Sequence, residues 1–499
     1  MKKVGHIAIA ALAIVVAAVA PARIAAQEPA AVQGPYVIRA VDFSIQGLTL
    51  EFVLRKKADI EVGKCFPTKE ALEAYLADRK QVLVNQRVLE EVSLDYDAPL
   101  SPGGGHDVAV RVSTKDSWNI IGLPYFDYDS NSGLLLSLRG RDYNFLGSMQ
   151  TLVLNLDWTQ DELGRNAYGG YMSCGVPFRL FGHDWSTSLS EDLRIYADGR
   201  PAKSGTTAGI GITFPELGPP ITLSGTQTLS FNPDSVAADV DPYLLTTAGS
   251  LSTWLPLGEP IGKLGRTSYS IGFGASRMWR FDAPVRPDRR STVLTVSQGL
   301  SLGRIDWLGN MQQGLQLSAS NWNGYYVDPD SWVVDLDAQA TALFTYKGRL
   351  GAKLRASGFF RPVGSIRGSL GASLRGVLDA RITGDAGAFA NLDLPVKLFD
   401  FPTHLFIKKD WFDFELQFSP FLDAAVVRPG PMSAIASENL WSSGGFEFLV
   451  FPFRVRSFIV RASLGFDLDS VVRNGSFTDS SPRDGYSPYE ISFGLGLFY

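Results

Sequence analysis

The segment FIVRASLGFDLD, Phe458 to Asp469, sets Phe458, Val460, Ala462, Leu464, Phe466 and Leu468 in one phase. Arg461, Ser463, Gly465, Asp467 and Asp469 occupy the other. Successive side chains of an extended chain point to opposite faces, so this alternation predicts a strand with one apolar and one polar face; a helix does not have that period. The pattern recurs after Trp118. Leu152, Leu154, Leu156 and Trp158 interleave with Asn155 and Asp157, and Phe412, Phe414, Leu416 and Phe418 interleave with Asp413, Glu415, Gln417 and Ser419. At the C-terminus Tyr489, Ile491, Phe493, Leu495, Leu497 and Tyr499 share a face opposite Glu490, Ser492, Gly494 and Gly496.

A soluble sandwich also alternates. In this chain, however, charged residues recur on the second face and Trp or Tyr often tips the apolar one, as at a membrane interface. Backbone groups in lipid must satisfy one another, and a strand-rich chain does so by closing on itself. The expectation for residues 120–499 is therefore a transmembrane antiparallel β-barrel with apolar residues toward lipid and polar residues toward the lumen. About 17 candidate strands can be counted, and single-chain bacterial barrels have even numbers, so about 16 are expected.

The N-terminal part differs. Lys2 and Lys3 precede an apolar run from Ile7 to Ala20 and small residues up to Ala26, the pattern of a secretory signal over 1–26, followed by a polar linker over 27–35. Over 36–115 the periodicities predict a small α+β unit. A strand carries Val41, Phe43 and Ile45, and a short helix covers Thr49 to Lys56. A second helix is capped by Thr68 and carries Leu72, Tyr75, Leu76 and Leu83. Two more strands carry Val92, Leu94, Tyr96 and Val108, Val110, Val112.

Composition narrows the function. The 499 residues carry 46 Lys+Arg against 51 Asp+Glu, net charge −5, without the basic footprint of a nucleic-acid binder. Cys65 and Cys174 fall in different units and are expected to be small buried residues rather than a disulfide framework. The formal G-x-S-x-G of GLSLG, Gly299 to Gly303, lies inside a strand, whereas a nucleophile elbow needs a strand-to-helix turn. His106, His183 and His404 are far apart and form no ligand set. No enzyme activity, cofactor or metal is expected.

Three stretches together resemble the BamA/TamA superfamily of outer-membrane barrels preceded by periplasmic POTRA domains. The strand-helix-helix-strand-strand unit at 36–115 looks like one POTRA domain. YDSNSGLLLSLRGRDYNFLGS, 128–148, is similar to the start of the family's barrel. LRGVLDARITGDAGAFANLDLPVKLF, Leu374 to Phe399, is similar to its Arg-Gly loop followed by Gly-Asp and a strand bearing an inward acid. Val377 stands where the family usually has an aromatic, and SIRG at 365–368 is a rival Arg-Gly; Gly384 and Asp385 stand at the family-like spacing after Arg375.

Strand phase turns Asp393 and Asp423 toward the lumen from neighbouring strands, where one guanidinium fork can bridge them. The resemblance implies that Arg375 docks on these acids, with Gly376 allowing close backbone approach. It also implies a lateral seam between a first strand near Gly133 to Arg141 and the last, Tyr489 to Tyr499, with Gly494 and Gly496 weakening the closing strand. In the plainer reading those glycines only make room for lumenal side chains. The implied function is assistance to the insertion of outer-membrane proteins or their translocation, from the outer membrane with the POTRA domain in the periplasm. The implied partners are unfolded outer-membrane clients, accessory lipoproteins and outer-membrane lipid. The alternatives are a passive pore or surface antigen, and a dedicated exporter of one protein or lipid.

Overall fold

A computed structural model describes residues 35–499, apart from 103, 130–132, 162–163, 234–240, 259–260, 262–263, 287–288, 379–380, 403–412, 432, 434, 437–438, 482–486, 496 and 498–499. The expected signal segment, nearly all of the linker, Gly496 and Tyr499 lie outside the described residues.

The first unit contains β1 (Tyr36–Gln46), α1 (Glu51–Ala58), β2 (Cys65–Phe66), α2 (Lys69–Val84), β3 (Leu89–Asp97) and β4 (His106–Asp116). Its sheet has the order β2-β1-β4-β3, with β1 and β4 parallel. Thr68 caps α2, its hydroxyl accepting the Ala71 N–H at 3.2 Å. Val108, Val110 and Val112 alternate inward on β4 and meet Ile38, Leu54, Leu72 and Leu83 in one buried core. The two-residue β2 is too short to show a period. Cys65 lies on it and is exposed, and Cys174 is only half-buried, so neither is the buried residue expected. With a core of its own, the fragment 36–116 is expected to melt in one cooperative transition. Circular dichroism showing no transition would mean that this core depends on the barrel.

Among the described residues, nineteen strand segments follow in one closed sheet. The first are β5 (Ile120–Asp129), β6 (Gly133–Asp142), β7 (Leu152–Gln160), β8 (Asn166–Leu180), β9 (His183–Tyr196) and β10 (Lys203–Phe214). Then come β11 (Ile221–Phe231), β12 (Tyr243–Leu257), β13 (Thr267–Trp279), β14 (Thr292–Leu308), β15 (Met311–Tyr326), β16 (Ser331–Tyr346) and β17 (Leu350–Val363). The last are β18 (Ala386–Asp393), β19 (Val396–Phe401), β20 (Phe414–Arg428), β21 (Leu440–Pro452), β22 (Val460–Asp467) and β23 (Tyr489–Leu495). β18 and β19 flank Pro395 and both pair with β17 and with β20, so they share one place and the ring has eighteen positions rather than about 16. Proline cannot donate to a ladder, which accounts for the break.

Outward positions such as Leu154, Leu156, Leu223, Leu354, Leu422 and Ile491 are exposed. Trp332 and Tyr346 stand at the two ends of β16 on the same outer face, 52% and 62% exposed. A closed sheet with an apolar outer belt and aromatic ends is a membrane-spanning barrel. Inward Glu415, Gln417, Ser419 and Asp423 are buried. The quoted segment keeps its alternation only to Asp467. Leu468 and Asp469 begin α3 (Leu468–Asn474), capped by Asp467, whose carboxylate accepts the Ser470 N–H at 3.1 Å.

Among the described residues, the small unit is tied to one mouth of the barrel at four turns. Asn144 donates to Thr49 Oγ1 at 2.8 Å, and the Leu50 N–H reaches Gly147 O at 2.9 Å. Lys56 pairs with Asp184 at 3.0 Å, and Asp78 with Arg304 at 2.7 Å. Arg87 stacks on Trp307 with its Cζ 4.1 Å from the ring centroid, and donates to Gly309 O, Asn310 and Arg456 O. Ser457 donates back to Arg87 O at 2.8 Å.

Candidate functional site

The segment between β17 and β18, residues 364–385, opens from the end of the barrel opposite the small unit and folds into the lumen. Its neck is a backbone bridge between Arg367 and Gly384, bonded in both directions at 2.7 and 2.9 Å. Leu374, Val377 and Ile382 are each at most 2% exposed and pack on Phe359, Phe389, Ala425 and Val427 of the inner wall. Here Val377 fills an apolar socket.

This packing delivers Arg375, 2% exposed, to the wall. Its Nε and backbone N–H both donate to Asp423 Oδ2 at 3.0 Å, and Nη2 donates to Asp423 Oδ1 at 2.7 Å. Nη1 donates to Asp393 and lies 3.5 Å from Glu447 Oε1. The guanidinium also stacks over Phe421, its Cζ 3.7 Å from the ring centroid. A planar fork serves two carboxylates at once, and burial of all the charges demands that each be paired. Arg375, Gly376, Asp393 and Asp423 are thus brought together.

The arrangement extends beyond the residues singled out from sequence. Glu447 comes from β21, and Glu490 on β23 accepts the Gly376 N–H at 2.9 Å. Gly376 has φ +85°, and a Cβ there would lie 2.4 Å from Gly465 C and Phe466 N. Arg381 pairs with Asp467 at 2.9 Å, both side chains fully buried. The rival Arg367 has its own partners on β16, Asp335 at 2.8 Å and Asp337 at 2.7 Å, and Arg361 shares Asp335.

The seam residues separate. β23 neighbours β5, and Gly133 begins β6, where it pairs with Asp129 of β5. Gly133 is therefore one strand away from the closure. The cause is β5 itself: IIGLPYFDYD carries Pro124 and no clean alternation, so it does not declare itself as the first strand. Gly494 faces inward, and a Cβ there would lie 2.9 Å from Arg461 Nη2, so the glycine makes room for that side chain. Ser301 of the formal elbow pairs with Ser268 in mid-sheet. Among the described residues no group of His, Cys, Asp and Glu converges as a metal site.

No family model matches the sequence, and no curated protein matches it. Solved structures do. CdiB from Acinetobacter baumannii aligns at 14% identity and TM-score 0.46 over 92% of this chain and 74% of that one. BamA from Haemophilus ducreyi lacking POTRA domains 1-3 aligns at 14% identity and TM-score 0.39 over 92% and 84%, and CdiB from Escherichia coli at 11% and 0.38 over 96% and 92%.

Proposed function

We propose that this chain is a BamA/TamA-type protein of the outer membrane of a diderm bacterium, its 36–116 unit a POTRA domain in the periplasm, that assists the insertion of other proteins into that membrane or their passage across it. The observation that carries the reading is the buried ion cluster in which an Arg-Gly loop is locked to Asp393 and Asp423 inside a transmembrane barrel whose opposite mouth holds a small α+β unit. The small unit also presents an edge strand: β3 has β4 as its neighbour on one side and, among the described residues, no strand on the other. Unpaired strand backbone is a surface to which an extended client can add.

Depletion followed by a census of outer-membrane barrels tests this. Broad loss of barrels fits an insertase, loss of one secreted protein fits a dedicated exporter, and no change refutes the proposal. A disulfide between β5 and β23, at a position where the Cα atoms are about 5–6 Å apart, is expected to abolish that activity while the barrel stays folded. Full complementation by the crosslinked protein would remove lateral opening from the mechanism.

A further inference from the structure

The outer wall of the barrel is not uniformly apolar. On β6, β7, β16 and β17 the outward phase between the strand ends holds only apolar residues and glycine, Leu136, Leu156, Leu336 and Leu354 among them. On β9 it carries Glu191, with exposed Leu189 and Leu193 on either side and Trp185 and Ile195 beyond them. A carboxylate thus stands partway along a strand in the lipid-facing belt. It accepts a hydrogen bond from Thr206, its direct partner on β10. On β13 the exposed Arg277 shares the outward phase with exposed Phe273, near the strand end at Trp279. Between them Gln227 of β11 and Thr247 of β12 face outward as a pair, the Thr247 hydroxyl donating to Gln227 Oε1 at 2.6 Å.

Among the described residues neither Glu191 nor Arg277 meets an opposite charge. Four strand spacings of about 4.8 Å hold them roughly 19 Å apart, too far to pair within one barrel. Ionisable groups at membrane depth are costly and as a rule pair with one another. The surface between the two charges is low: Gly225, Gly249 and Ala275 are direct neighbours in one outward row across β11, β12 and β13. Nothing within the barrel asks for the glycines, since a Cβ on Gly225 or Gly249 would meet no atom nearer than 3.9 or 3.8 Å, and glycine weakens a strand. Small residues here let a second surface approach closely from the membrane side.

We propose that the outer face of β9–β13 is the interface of a homodimer, two copies related by a two-fold axis along the membrane normal opposite β11, so that Glu191 of each copy pairs with Arg277 of the other. A two-fold contact sets a surface against itself and must be self-complementary. β9 and β13 lie two strands to either side of β11, so the axis that places β11 against its own copy places acid against base twice. It also brings the two Gln227 amides together at the centre. A different membrane protein must bring an acid and a base in the matching order; a second copy carries them already. The pairing requires only that this face meet lipid, whatever the barrel handles.

The test uses the full chain with Cys65→Ser and Cys174→Ser, in membranes of the expressing cell. Gln227→Cys, oxidised in the membrane, is expected to form a disulfide-linked species of twice the chain mass, and Leu354→Cys on the plain wall is not. Glu191→Arg sets like charges opposite each other and is expected to lower the dimer yield at least about tenfold, whereas adding Arg277→Glu restores it to within about threefold. Glu191→Gln keeps the shape without the charge and is expected to fall between. Gly249→Leu is expected to remove the dimer by bulk alone. Yields are taken on the heat-modifiable, folded fraction of each variant.

Monomer alone from Gln227→Cys, equal crosslinking at Leu354→Cys, or a double swap no better than Glu191→Arg would each overturn the proposal. A crosslinked species of any other mass would overturn it as well, by giving this wall to a different membrane protein. None of these yields depends on a client, so the depletion census and the dimer stand or fall separately.

Discussion

Arg375→Ala is expected to release the lumenal loop and lower barrel stability by the largest amount of any single side-chain truncation in this protein. The substitution takes the guanidinium away from Asp393 and Asp423, whose side chains are 9% and 0% exposed, while Glu447 keeps Arg461 at 3.5 Å. Removing one partner of a buried pair costs about 3–5 kcal/mol. Arg375→Lys keeps the charge without the planar fork and is expected to fall between alanine and wild type. Arg367→Ala is the comparison. Its side chain is 20% exposed; of its partners Asp337 is 47% exposed and the more buried Asp335 keeps Arg361, so no buried acid loses its last cation and a smaller cost than at Arg375 is expected. Heat-modifiability on gels and protease access to residues 364–385 measure the difference, and equal behaviour of the two alanine variants would show that the lock is not centred on Arg375.

Gly376→Ala is expected to unseat the same loop by a different route. The methyl would meet backbone atoms of β22, which cannot rotate aside, and the left-handed backbone at φ +85° adds its own penalty. Overpacking costs about 1–3 kcal/mol and an L-residue in that conformation about 1–2 kcal/mol more. Gly465→Ala approaches from the other side, its Cβ 2.6 Å from Gly376 N. It carries only the steric part and should be the milder of the two. The gel-shift midpoint distinguishes them; an unshifted Gly376→Ala barrel would mean that the loop does not lie against β22.

Much of the barrel is legible because lipid enforces a period of two. Leu154 and Leu156, or Ile491 and Phe493, must face hydrocarbon whatever lies behind them. The pattern fades where the inner face is apolar too. On β21 the inward Leu449 and Phe451 are 2% and 1% exposed, so Glu447 on the same face does not stand out in sequence. β5 hides for the related reason that Pro124 and adjacent apolar residues blur its phase. Within the site, the acids legible from sequence are those on β18 and β20, which pair with each other just after the loop. Glu447, Glu490 and Gly465 lie 72 or more positions beyond Arg375, and only ring closure brings them to it.

The hairpin of β21 and β22 is touched at both ends. Its turn, through Arg456 and Ser457, holds Arg87 of the small unit, while its strands carry Glu447, Gly465 and Asp467 against the loop that enters from the opposite mouth. Mechanically this is a connecting rod. Hydrogen bonds of an antiparallel ladder run perpendicular to the strands, so a pull along the hairpin axis loads many of them in shear at once rather than peeling them singly. A tug on the small unit that keeps the Arg87 contacts intact is therefore shared along the ladder with β20 and β23 on its way to the loop anchorage. Force applied to one mouth is felt at the other.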